Sequence, residues 1–107
     1  MPFSDAVGQQ HGFFHGGIIG AAGDTAGGYA ALTVLPAGSE VLTLEYKINF
    51  LKPALGDSLA AEAMVLRAGR SVIVTRIDVG VIKGESRTLC AALQQRIVPA
   101  PSKEYVR

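Results

Sequence analysis

The sequence predicts an α+β domain in which one curved antiparallel sheet wraps a single central helix. Three observations point there. Apolar and tiny residues recur at helical spacing over 16–34, the period changes to two from residue 41, and the strands that follow are about ten residues long. Strands of that length exceed the usual five or six, and a sheet packed by one face on one apolar helix curls around it. The 107 residues fit one domain, 1–107.

Each element has its own signal. Residues 1–14 carry no sustained period, whereas Ile18, Ala22, Thr25, Tyr29 and Leu32, with Ile19, Ala26 and Ala30 beside them, form the helical pattern. Glycines at 20, 23, 27 and 28 would each cost an isolated helix up to about 1 kcal/mol relative to alanine. The helix is therefore expected to be embedded, its small residues admitting a close neighbour and tertiary packing supplying its stability. Pro36-Ala37-Gly38 ends it.

In the first strand Leu42, Leu44, Tyr46, Ile48 and Phe50 fall on one face and Thr43, Glu45, Lys47 and Asn49 on the other. Pro53 and Gly56-Asp57 close that strand. Residues 58–67, 71–82 and 87–98 read as three more strands, separated by turns at Ala68-Gly69-Arg70 and Lys83-Gly84-Glu85, in the pattern of an antiparallel meander. Pro99 to Glu104 reads as a polar tail.

Composition narrows the function. Only 18% of residues are charged, against roughly 25% in ordinary soluble domains, so apolar surface is left over and a homo-oligomer is expected. Ten basic and nine acidic residues without a Lys/Arg cluster argue against a nucleic-acid partner. No apolar run approaches the ~18 residues of a membrane span and no signal peptide opens the chain, so a soluble, cytoplasmic protein without a membrane partner is expected. Cys90 is the sole cysteine, which excludes an intrachain disulfide and a Cys-cluster metal site and fits a small core residue.

The chemistry concentrates in His15-Gly16-Gly17 through Asp24. Amides at the helix start have no intrahelical acceptor and carry the positive end of the dipole, and glycine lets a substrate carbonyl come close. Gly16 is the preferred oxyanion donor, with Gly17 beside it. Asp24 lies eight residues, roughly two turns, further along and can line the same groove as nucleophile or base. A carboxylate among alanines and glycines is costly if dry and unpaired, so it must border water, a partner or a substrate. A plainer reading has Asp24 facing solvent or capping a break after Gly23. His15 can likewise be a structural residue, and with no second histidine at ligand spacing no metal site is expected. Phe13, Phe14, Tyr46 and Phe50 are either an acyl pocket or plain core.

The stretch Gln9-Gln10-His11-Gly12-Phe13-Phe14-His15-Gly16-Gly17 followed by Asp24-Thr25-Ala26 resembles the signature of hotdog-fold acyl-CoA thioesterases of the phenylacetate-pathway, PaaI-like type. A second block, Thr43 to Ala54 with Gly56-Asp57, resembles that family's strand after the helix, and Val65 to Arg70 its next turn. The resemblance runs from about Gln9 to residue 98. It implies a hotdog fold and hydrolysis of an acyl-CoA thioester, with no cofactor beyond the coenzyme A that the substrate carries, and the aromatic residues, if they line a pocket, favour aryl or medium-chain acyl groups.

The same resemblance implies roles for particular residues. Asp24 becomes the catalytic carboxylate, as nucleophile or as base on a water, and the Gly16 N–H polarises the thioester carbonyl. Gln9 falls where the family carries an Asn or Gln near the thioester or the attacking water, Thr43 where a Ser or Thr assists the water, and His15 where the loop is supported. Lys52, Arg67 and Arg70 lie in turns or at strand ends, where cations can meet coenzyme A phosphates or simply face solvent. Family sites lie between the helix of one protomer and its partner's loop and strand, and dimers pair into tetramers. Only eight residues precede Gln9, where relatives usually carry a further helix and strand, so a thinner wall around the acyl group is expected. Three alternatives remain: a hotdog protein that binds acyl-CoA or another ligand without turnover, a hotdog hydratase or dehydratase, and a structural dimer module.

Overall fold

The computed structural model describes residues 1–5, 8 and 12–100. It contains one helix, α1 (Gly16–Leu32), followed by four strands: β1 (Val41–Phe50), β2 (Ser58–Ala68), β3 (Ile73–Lys83) and β4 (Ser86–Pro99). All lie within one antiparallel sheet of order β1-β4-β3-β2, and α1 packs on one face against every strand. The expected helix-in-sheet architecture is what forms.

The meander expectation is right for three strands. Tight turns join β2 to β3 at Gly69, whose N–H donates to Val72 O at 2.9 Å, and β3 to β4 at Gly84, whose φ of 61° suits glycine. β1 does not join its sequence neighbour β2, however, but pairs with β4 at the far edge. Residues 51–57 cross the end of the sheet instead, tied at one side by the Leu51 and Lys52 amides donating to Cys90 O and at the other by Asp57 N–H donating to Ile82 O. The proline and the Gly-Asp pair in this segment suit a crossing as well as a turn.

The helix ends at Leu32, two residues short of expectation, where the Thr33 cap turns its N–H back onto Ala30 O. Its buried stripe also differs. Ile19, Gly20, Gly23, Gly27 and Ala31 face the sheet, while Thr25 and Tyr29 face outward. Glycine is used because sheet side chains occupy the space a Cβ would need: it would lie 2.8 Å from the Tyr46 hydroxyl at Gly20 and 2.9 Å from Leu93 at Gly23. The large residues of this seam come from the sheet and the small ones from the helix.

Two apolar clusters fill the space between α1 and the sheet. The larger gathers Phe14, Ile19, Leu59, Ile77, Val79, Cys90 and Leu93 beneath the first half of the helix. The smaller joins Ala31, Ile73 and Ile97 beneath its end, with Val41 and Val65 alongside. Phe14 meets Phe3 edge to face, with centroids 5.0 Å apart, and its N–H donates to Ala54 O. Cys90 is buried as expected, and burial pushes its thiol pKa up. No helix among the described residues is long and apolar enough to cross a membrane.

Candidate functional site

A polar layer separates the two apolar clusters. On β3 the inward positions run Ile73, Thr75, Ile77, Val79, and on β4 they run Ile97, Gln95, Leu93, Ala91. Thr75 and Gln95 are paired in register, are completely buried, and are the buried polar side chains of the described core. Thr75 Oγ1 donates to Gln95 Oε1 at 2.7 Å. Gln95 Nε2 then reaches up to α1, donating to Asp24 Oδ1 at 2.6 Å and to the Asp24 carbonyl at 3.1 Å.

The third group comes from β1. Thr43 Oγ1 donates to the same Asp24 Oδ1 at 2.7 Å. A strand of strict period two would turn Thr43 away, since Tyr46, Ile48 and Phe50 face the helix. The pairing with β4 explains how it turns inward: the register shifts between Thr43, opposite Ile97, and Glu45, opposite Arg96, so Leu44 is an extra, bulged residue. The expected faces of β1 therefore hold beyond Glu45 and reverse before it. Leu42 and Leu44, expected on the covered face, are exposed.

Asp24 is thus neither a solvent-facing residue nor a helix break. It is half-buried in the middle of α1, with two donors on one oxygen, while Oδ2 has no hydrogen-bond partner among the described residues. The carboxylate is fixed in orientation and retains an oxygen able to act on a ligand.

The helix start forms a second locus. His15 is the N-cap with extended φ and ψ, makes no side-chain cap bond, and accepts at its carbonyl from the Ile18 and Ile19 amides. The amides of Gly16 and Gly17 lie ahead of these first intrahelical bonds. A Cβ on Gly17 would meet nothing within 4 Å, whereas one on Gly16 would lie 3.1 Å from the Phe50 ring. An open groove of about 630 Å³ runs past Gly16, lined by Phe13, Phe14, Phe50, Lys52 and Pro53. Phe50 is exposed there, while Phe14 also belongs to the core.

The structure unites Asp24 with Thr43, and Gly16 with Phe14, Phe50 and Lys52, but not the two sets with each other. Eight residues at about 1.5 Å rise put Gly16 and Asp24 of one chain some ~12 Å apart along the helix. Arg67 and Arg70 lie at the β2–β3 turn, beside the end of the sheet where Ile73 pairs with Ile97, whereas Lys52 binds Cys90 O at the other end. That is a separation of about 20 Å at strand spacing, so these cations do not converge within one chain. Gln9 lies outside the described residues. Among the described residues no group of three His, Cys, Asp or Glu stands where it could hold a metal ion.

The sequence reading missed Gln95 and Thr75. Their signal was present: each is a polar residue at an inward position of an otherwise apolar alternation, two residues from the smaller cluster's Ile97 on β4 and Ile73 on β3.

Helix, wrapped sheet and a carboxylate in mid-helix define the class, and residues 11–89 match the family model of the thioesterase superfamily. The chain belongs to that superfamily. A thioesterase family protein from Silicibacter pomeroyi has the same fold, with a TM-score of 0.88 and 35% identity over 92% of this chain and 73% of its own. A Bacillus halodurans protein solved with CoA follows at a TM-score of 0.85 and 27% identity, covering 94% of this chain and 68% of its own. A phenylacetic acid degradation-related thioesterase structure from Ralstonia eutropha superposes with a TM-score of 0.79 and 26% identity, covering 91% and 70%. The fold is the hotdog fold, and the PaaI-like resemblance is consistent with these neighbours. The chain spans 48–62% of the length of the first three curated relatives it matches, which carry esterase names.

Proposed function

We propose that residues 1–107 form one hotdog domain that hydrolyses small aryl- or medium-chain acyl-CoA thioesters, with Asp24 as nucleophile or as base on a water. The observation that carries this reading is the Asp24 carboxylate itself, held at Oδ1 by Thr43 and Gln95 with Oδ2 left over. The CoA bound in the Bacillus halodurans neighbour supports the substrate class.

In this reading the thioester carbonyl docks on the Gly16 N–H, where the helix dipole stabilises the developing oxyanion, and Gly17 leaves room for it. The ~12 Å between Gly16 and Asp24 of one chain requires the carboxylate to come from the facing protomer of a homodimer, two of which pair as a tetramer. Exposed Leu42, Leu44, Tyr46 and Phe50 on the edge strand β1 support burial against a second copy. Gln9 acts on the thioester or the attacking water, His15 supports the loop and the oxyanion hole, and Thr43 orients the attacking water or the carboxylate. The acyl group lies along Phe14 and Phe50, and Lys52 of one chain with Arg67 and Arg70 of another meets the phosphates. A thiolate leaves readily, so one carboxylate and an oxyanion donor suffice, without a metal or a further cofactor. Such a protein works in the cytoplasm, where acyl-CoA is made and used.

The test is thiol release from a panel of aryl- and fatty-acyl-CoAs by wild type and Asp24→Asn. The expected outcome is a fall in kcat of at least about 10³-fold with KM and oligomeric state retained, because only a transition-state interaction is removed. CoA binding without turnover by the folded wild type would instead identify a binding module.

A further inference from the structure

We infer that Gln95 and Thr75 are positioning residues that act through Asp24, an inference that rests on the thioesterase reading and deepens it. Gln95 is fully buried, yet a side chain of that size at an inward β4 position between Leu93 and Ile97 contributes less to the core than an apolar one would. Its placement makes sense through its partners. Its amide nitrogen donates to Asp24 Oδ1 (2.6 Å) and to the Asp24 carbonyl (3.1 Å), with a longer contact to Thr43 Oγ1 (3.4 Å).

The direction of the amide is fixed. Reversed, Oε1 would face an ionised carboxylate oxygen and a carbonyl oxygen, neither of which can donate to it. In the orientation seen, Oε1 accepts from Thr75 Oγ1 at 2.7 Å, and Thr75 is itself completely buried. Thr75 therefore locks Gln95, and Gln95 locks Asp24, from beneath the helix. α1 accommodates the arrangement with Gly27: a Cβ there would sit 2.7 Å from Gln95 Cδ, so only glycine lets the amide pass.

The consequence concerns rotamer and charge distribution. With Thr43 and Gln95 both donating to Oδ1, the carboxylate is held in one orientation, and among the described residues Oδ2 keeps its lone pairs uncommitted. Removing the Gln95 donor frees the carboxylate to rotate, and misplacement of a reacting group by about 1 Å can cost on the order of 10²-fold in rate. Substrate binding, which Gln95 does not touch, should be unaffected.

The experiment uses the full chain with the acyl-CoA panel, measuring kcat and KM alongside thermal unfolding and oligomeric state. Gln95→Met, which keeps length and volume but has no donor, is expected to lower kcat by about 10–100-fold at unchanged KM. Thr75→Val is expected to lower kcat by a smaller factor, and Thr75→Ser, which restores the hydroxyl, to recover it to within about twofold. Combined with Asp24→Asn, Gln95→Met should remove little further turnover, since a residue acting through Asp24 has nothing left to position. Unchanged kcat in folded Gln95→Met, or losses that add in full to those of Asp24→Asn, would overturn the inference while leaving the thioesterase reading intact. If Gln95→Met does not fold, the Thr75 pair decides: equal kcat in Thr75→Val and Thr75→Ser overturns it. Absence of turnover by wild type, or full activity in Asp24→Asn, overturns the underlying reading and the inference with it.

Discussion

The two stretches of the seam between α1 and β1 are made of opposite materials. At Gly16 and Phe50 the seam is apolar and open, and its polar groups are backbone amides at the helix start. At Asp24 and Thr43 it is polar, and tightly packed where Gly27 passes Gln95, with side chains from β1 and β4, and behind them β3, converging on one carboxylate oxygen. The first stretch can accept negative charge and the second can supply it, about two turns away. In the proposed reading one helix presents an oxyanion donor and a carboxylate about 12 Å apart, too far for one chain to bring both to one carbonyl. The separation between them is set by the embedded helix, which cannot bend without disturbing both apolar clusters.

This division of labour predicts where stability and orientation reside. The clusters on either side of the polar layer should carry the stability. Ile77→Ala, which empties a completely buried position in the larger cluster, is expected to destabilise the fold by about 2–5 kcal/mol in denaturant unfolding. A loss below about 1 kcal/mol would show that the polar layer, and not the apolar cluster, holds the helix to the sheet. The next effect belongs to Gly27→Ala. Alanine would gain up to about 1 kcal/mol in helix propensity but must displace the Gln95 amide, an overpacking cost of about 1–3 kcal/mol. Net destabilisation together with reduced kcat is expected, and a variant stabilised with full activity would contradict the tight passage of Gln95 beneath the helix.

Much of this could be read from the chain, and what could not has identifiable causes. The helix, the four strands and the two hairpin turns follow from periodicity and from glycines at fixed places, because those signals are local. Two features are not local. The partner of β1 depends on whether residues 51–57 turn back or cross the sheet, and Pro53 with Gly56-Asp57 permits both. The inward turn of Thr43 depends on one bulged residue, Leu44, whose apolar side chain continues the alternation of the strand and so conceals the shift. Asp24 was legible because a charge among alanines and glycines is conspicuous. Its partner Gln95, 71 positions away in sequence, is conspicuous only once the inward face of β4 is known. The helix stripe was misjudged in part for a related reason: periodicity pointed to Thr25 and Tyr29, which face outward, while the buried line between Ile19 and Ala31 is glycine, whose contribution is the room it leaves.

The smallest expected effect sharpens the comparison most, because it makes at the open end of the seam the same change that Gly27→Ala makes at the tightly packed one. Gly17 is exposed in the first turn of α1, and a Cβ added there meets no atom within 4 Å. Its replacement by alanine removes backbone freedom from the unfolded chain without a clash, so Gly17→Ala should raise stability by up to about 1 kcal/mol. The added methyl also enters the space ahead of the helix amides, where the proposed thioester docks, so KM should rise while the Asp24 layer stays intact. Thermal unfolding and steady-state kinetics on the same sample separate the two effects. A more stable variant with raised KM is expected. A variant that loses stability as Gly27→Ala does would mean that the helix start is packed as tightly as its middle, and the contrast between the two stretches would fail.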